Sequence, residues 1–213
     1  MRVSWFVATF CPVHQGEHGM LKVYGDVRSG NCLKVQYVAD MLGLAYEWVA
    51  VDVVAGETRT PEYLAINPFG QIPAIQFDDG RTLTQSNAIM RYLAAGSPLV
   101  PRDPWLAAEM DEWLFWEQYS HETAIAVARF LVVFKGQAIA DRDPELVKKG
   151  EAALDRMEDH LQDNVWFVGD AISLADIALY AYTQFAPDGG FALDRRPNLV
   201  AWLARVKAAL KLA

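Results

Sequence analysis

Tyr24-Gly25-Asp26-Val27-Arg28-Ser29-Gly30-Asn31-Cys32-Leu33-Lys34-Val35 is a strand end, a polar turn and a helix start in succession, and its reading decides the fold. Just upstream, Leu21 to Tyr24 is a short strand candidate. Downstream, Asn31 to Leu42 sets Leu33, Val35, Val38, Met41 and Leu42 on one broad helical face, and Gly43 ends the run. Glu47 to Val53 is rich in valine and aromatic residues, as a buried strand requires. The opening is β-α-β.

The pattern continues through a polar loop, Gly56 to Thr60, and a short helix from Pro61 to the loop Asn67-Pro68-Phe69-Gly70-Gln71-Ile72-Pro73. Ala74 to Phe77 and Arg81 to Leu83 flank Asp78-Asp79-Gly80, a strong hairpin signal. Ser86 then starts a helix bearing Ile89, Met90, Tyr92 and Leu93. The order βαβ-ββα matches an α/β thioredoxin-like domain over residues 20–97. Residues 98–104 hold three prolines and no periodicity, which predicts a linker. From 105 to 213 the patterns are helical: Trp105 to Tyr119, Thr123 to Phe134, Pro144 to Leu161, Ser173 to Phe185 and Pro197 to Leu210. The second domain is expected to be all-α.

Composition narrows the function. With 213 residues, 53% hydrophobic and 22% charged, the chain has enough apolar mass for two modest cores. A net charge of −8 argues against a nucleic-acid binder, which would concentrate positive charge. The two cysteines, Cys11 and Cys32, form no CxxC and no ligand spacing, so neither a disulfide framework nor a metal site is expected. No apolar run approaches the roughly 20 residues that cross a bilayer. Residues 1–19 lack a good signal-peptide pattern, because Ser4 and Thr9 interrupt the apolar run and no small-residue cleavage site follows. They read as an extension outside the fold, with Met20 directly before the first strand.

Several residues invite chemistry. Ser29 stands where a helix N-cap is expected, and Asn31 can fill the same role. That helix end concentrates partial positive charge and unpaired N–H donors, an environment that favours a thiolate. Cys32 is either a small buried hydrophobe or a reactive thiol in the first helical turn. Lys34 and Arg28 read as surface charges. Ser86 reads as a second N-cap, preceded by an exposed Gln85. Ser173-Leu174-Ala175-Asp176 is a capping box whose acidic residue is structural. Trp113, Trp116, Tyr119, His121 and Arg129 cluster on the first helical runs of the second domain.

The serine turn, the Asn-Pro-Phe-Gly-Gln-Ile-Pro loop and Gln85-Ser86-Asn87-Ala88-Ile89, in this order and followed by a helical domain, resemble the cytosolic glutathione S-transferases, and among them bacterial members with a serine or asparagine active-site loop. The resemblance covers about Leu21 to Leu210. It implies a transferase that activates the thiol of glutathione for attack on a small hydrophobic electrophile, working as a cytoplasmic homodimer in detoxification. Glutathione is the co-substrate, with no metal, no nucleic acid and no membrane partner. Ser29 and Asn31 are the implied thiol-activating pair. Ile72 is implied to pair with the cysteinyl backbone of glutathione beside a cis Pro73, Gln85 and Ser86 to hold the γ-glutamyl end, and Asn67 or Gln71 to reach the glycyl end. Gln85 departs from the commoner glutamate and removes a charge opposite the ligand's amino group. Trp116, Tyr119 and His121 are the implied walls of the electrophile pocket. The alternatives are a glutathione-dependent disulfide or peroxide reductase, with either Cys32 or the Ser29 and Asn31 pair at its centre, and a non-catalytic binding module of the same fold.

Overall fold

The structure is a computed structural model that describes residues 20–212; the N-terminal extension inferred for residues 1–19 lies outside the described residues. Strand β1 (Leu21–Gly25) buries alternate side chains, Leu21 and Val23 among them, and leads into helix α1 (Gly30–Met41). Gly43, with φ of +65°, closes α1 where a side chain would be strained. Strand β2 (Tyr46–Ala50) pairs parallel to β1. It stops short of the expected Val53 because Asp52 Oδ1 accepts the N–H groups of Val54 and Ala55, turning the chain away.

Helix α2 (Pro61–Ile66) is capped by Thr60. Strands β3 (Ala74–Gln76) and β4 (Thr82–Thr84) form the expected hairpin, with Gly80 at φ +85° in its turn. The sheet order is β2-β1-β3-β4, with β3 antiparallel to β1. Helix α3 (Ser86–Leu93) follows.

The helical half comprises α4 (Pro104–Trp116), α5 (Glu122–Arg129), α6 (Pro144–Asp163), α7 (Leu174–Thr183) and α8 (Pro197–Ala209). The break expected between Tyr119 and Thr123 does not occur. The wide turns Glu117–His121 and Phe130–Phe134 keep the backbone helical from Pro104 onward, since no glycine or proline interrupts it until Gly136.

The halves interlock through α1, which packs against both α3 and α7. Its second face explains why Cys32, Leu33, Lys34, Val35, Tyr37, Val38 and Ala39 are all buried. Gly30 is the point of closest approach: a Cβ there would stand 2.8 Å from the Tyr182 ring. In α7, Asp176 accepts from the Ser173 N–H and hydroxyl, the Phe167 N–H and the Trp202 indole, which makes it the structural anchor its sequence context implied.

Candidate functional site

A cavity of about 610 Å3 opens between the two halves. The sheet half contributes Asn31, the Gly70-to-Pro73 loop and Gln85-Ser86, and the helical half contributes Gln118, Glu122 and Phe130. Asn31, Asn67, Gln71, Ile72, Pro73, Gln85 and Ser86, distant in sequence, therefore share one wall. Ser29 does not face this space. It borders a smaller cavity of about 120 Å3 beside Arg129, Phe134 and Tyr182, and Val53 and Phe130 wall both spaces.

Ser29 sits at the N-cap of α1 with an extended backbone, but its side chain makes no capping bond; its carbonyl instead accepts the N–H groups of Cys32 and Leu33. The hydroxyl interacts with the phenol of Tyr182 and the thiol of Cys32. Cys32 is fully buried, and that burial pushes its thiol up to about 12, so it is protonated and inert near neutrality. A reductase centred on this cysteine loses its nucleophile.

Asn31 is the most heavily bonded polar group in the cavity. Its Oδ1 accepts from Lys34 Nζ at 2.9 Å and Ser86 Oγ at 3.1 Å, and its Nδ2 donates to Glu122 Oε1 at 3.3 Å. Lys34, expected at the surface, is completely buried and forms an ion pair with Glu117 at 2.7 Å, also completely buried. A Lys–Glu contact spanning 83 positions leaves no local pattern in a sequence. Glu117 Oε2 also accepts from Asn87 and Gln118. Burial, then the neighbouring Glu117, raises the carboxyl of Glu122 above the usual range.

Ser86 is not a cap either, because its hydroxyl is committed to Asn31 and Gln85 takes the N-cap position of α3. Gln85 holds φ at 69°, a conformation costly for any residue but glycine and typical of ligand-contact positions. The Ile72-Pro73 bond is cis, and Ile72 lies just ahead of the sheet register that begins at Ala74. Asn67 is 1% exposed, with its amide donating to the Gln71 carbonyl and accepting the Phe69 N–H, so it holds the loop from beneath. Arg59, unmarked in the sequence, brings a guanidinium to the cavity edge at the Phe69 carbonyl.

None of the three expected electrophile walls is among the residues that line this cavity. His121 is fully buried, bonded to Thr183 Oγ1 at 2.9 Å, and burial lowers it to about 4. Thr183 gives its own proton to the Leu179 carbonyl, so the ring donates from Nε2 and stays neutral in the core. Trp116 stacks edge-on against Trp113, and Tyr119 points away, 86% exposed. The wide turn Glu117–His121 shifts the helical phase, so Gln118 and Glu122 face the cavity instead. Among the described residues, no cluster of His, Cys, Asp and Glu is arranged for a metal, and no helix is long and apolar enough to cross a membrane.

Comparison with known proteins bears on this arrangement. The family models described as glutathione S-transferase N-terminal domain and C-terminal domain match residues 19–95 and 121–209. Glutathione S-transferase 3 of Zea mays is 34% identical over 203 residues, which is 88% of this chain and 89% of that protein. The crystal structure of a glutathione S-transferase from Pseudomonas fluorescens is 48% identical, with a TM-score of 0.86 over 89% of this chain and 96% of that one. A glutathione S-transferase from Xanthobacter autotrophicus is 41% identical, with a TM-score of 0.84, covering 88% of this chain and 93% of that one.

Proposed function

This chain belongs to the glutathione S-transferase family, and on that premise we propose which of its residues carry the transfer. The enzyme's reaction joins the sulfur of glutathione to a small electrophile. The thiol must lose its proton, since the thiolate is the nucleophile. The new bond is then C–S, and the electron pair leaves with the displaced group or is protonated on the adduct.

The observation that carries the assignment is the placement of Asn31. At the second position of the twelve-residue α1 it lines the cavity together with Ile72, Gln85 and Ser86. The sulfur lies against the N-terminus of α1, where N–H groups and the helix dipole favour the anion. Asn31 Nδ2 donates to it directly. Ser29, at the N-cap of the same helix, borders the adjoining space, which shares Val53 and Phe130 with this cavity.

The backbone of Ile72 pairs with the cysteinyl unit as an added strand. Gln85 and Ser86 receive the γ-glutamyl carboxylate at the start of α3. Gln71 faces the glycyl end, with Arg59 beside it as a cation for the terminal carboxylate. Asn67 contributes by holding that loop. Val53 and Phe130 are the apolar walls for the electrophile, in place of Trp116, Tyr119 and His121. The second copy in a homodimer covers the outer face formed by the end of α4 and the wide turn after it, where Phe115 and Tyr119 stand 77% and 86% exposed. The buried, unpaired thiol of Cys32 suits the reducing cytoplasm, in which glutathione is abundant.

Ultraviolet titration of the bound thiolate tests the assignment. Asn31→Ala should raise the pKa of enzyme-bound glutathione by about one unit, and Ser29→Ala by a smaller amount. If both variants titrate like the wild type, neither residue activates the thiol.

A further inference from the structure

The geometry points to Lys34, held by Glu117, as the positioning residue that fixes which end of the Asn31 amide faces the sulfur. This rests on the reading of Asn31 as the donor to glutathione. An asparagine side chain has an accepting end and a donating end of nearly the same shape. Only the donating end helps a thiolate; the carbonyl oxygen would repel it. Something beneath the cavity floor must choose between them.

Lys34 Nζ lies 2.9 Å from the Asn31 amide. An ammonium has three donors and no acceptor, so the atom it touches is the oxygen. Ser86 Oγ adds a second donor to the same oxygen at 3.1 Å. That leaves the NH2 group as the donating end, with Nδ2 reaching Glu122 Oε1 at 3.3 Å beside the cavity that Asn31 and Glu122 both line. Lys34 is itself held in place. Glu117 Oε2 accepts from it at 2.7 Å, and Asn87 and Gln118 donate to the same carboxylate oxygen at 3.2 and 2.9 Å. Both charged side chains are fully shielded from water, so the ammonium has no mobile solvent partner to replace Asn31.

A buried ion pair is a poor way to gain stability, because desolvation of both ions offsets their attraction. Orientation of a neighbouring dipole is a use that an apolar pair of the same volume cannot supply. The pair also joins α1 to the wide turn after α4, so the donor at the thiol depends on the two halves being docked.

The test is a double-mutant cycle on the pKa of bound glutathione thiol, read from thiolate absorbance. Lys34→Met/Glu117→Gln removes both charges together, so no single ion is left unpaired, and the amide oxygen that replaces the carboxylate can still accept from Asn87 and Gln118. It should raise the thiol pKa by about half a unit to one unit. The same two substitutions in an Asn31→Ala background should then produce no further change, because no amide remains to be oriented. A shift that persists in that background would mean Lys34 acts as a distant charge, and would overturn the proposal. An unmoved pKa in Lys34→Met/Glu117→Gln, with Asn31→Ala shifted, would show a purely structural pair. If Asn31→Ala itself leaves the pKa unmoved, the assignment of Asn31 fails first.

Discussion

At the scale of single residues, the site is a contest over a few protons and charges around Asn31. The amide donates toward the cavity, but so close to it that they share a hydrogen bond stands Glu122, whose carboxyl is held above its ordinary range by burial and by Glu117. A carboxylate beside a thiolate raises the cost of forming the thiolate. Glu122→Gln should therefore lower the pKa of bound glutathione thiol by about half a unit, opposite in direction to Asn31→Ala. Thiolate absorbance against pH checks this. A rise instead would mean that the Glu122 side chain stabilises the thiolate. Asn31, Ser86 and Ile72 were named as site residues because their short local motifs resemble those of a known family, and all three line the cavity. Lys34, Glu117 and Glu122 were not, because what makes them matter is contact between α1 and the helical half, and no spacing along the chain encodes it.

At the scale of elements, capping and turn chemistry decided what the sequence could show. Gly43, Asp78-Asp79-Gly80 and the Ser173 box mark their boundaries with residues whose physical role is local, and the structure forms the corresponding helix end, hairpin and helix start. The stretch from Pro104 to Gly136 carries no such punctuation. Its two wide turns arise from tertiary packing, and they rotate Gln118 and Glu122 into the cavity while burying His121 and leaving Tyr119 outside. Trp116, Tyr119 and His121, the walls implied by the resemblance, are not among the residues that line this cavity. Asp176 shows the opposite case, a local motif with long reach, since it ties the start of α7 to the Phe167 backbone and to Trp202 on α8. Asp176→Ala strands four buried donors at once. The variant should lose at least about 3 kcal/mol of stability. Its folded fraction should keep the wild-type thiol pKa, because Asp176 touches neither cavity. Urea unfolding together with the thiolate titration separates the two effects, and wild-type stability would show that water replaces the lost carboxylate.

At the scale of the whole molecule, the cavity exists because two differently built halves meet across α1. Lys34–Glu117, the Tyr37–Gln184 hydrogen bond and Arg129 Nη1 on the Arg28 carbonyl all cross the same seam, and Gly30 lets α7 close upon it. The exposed aromatic surface lies away from that seam. Phe115 near the end of α4 and Tyr119 in the wide turn after it stand with most of their area in water, and Phe69 is 67% exposed on the loop beside the cavity. A chain with a net charge of −8 can keep such groups dissolved, but a second copy that covers them gains roughly 25 cal/mol for each Å2 of apolar surface removed from water. Phe115→Glu/Tyr119→Glu should then shift the protein from dimer to monomer in sedimentation velocity at micromolar concentration, since two buried carboxylates per subunit would face their copies across the contact. Thiol activation should survive in that monomer, because Asn31, Lys34 and Glu117 all come from one chain. Wild-type protein that already sediments as a monomer would remove α4 as the contact. A monomeric variant with a raised thiol pKa would show instead that the subunit boundary helps hold α4 and its wide turn against α1.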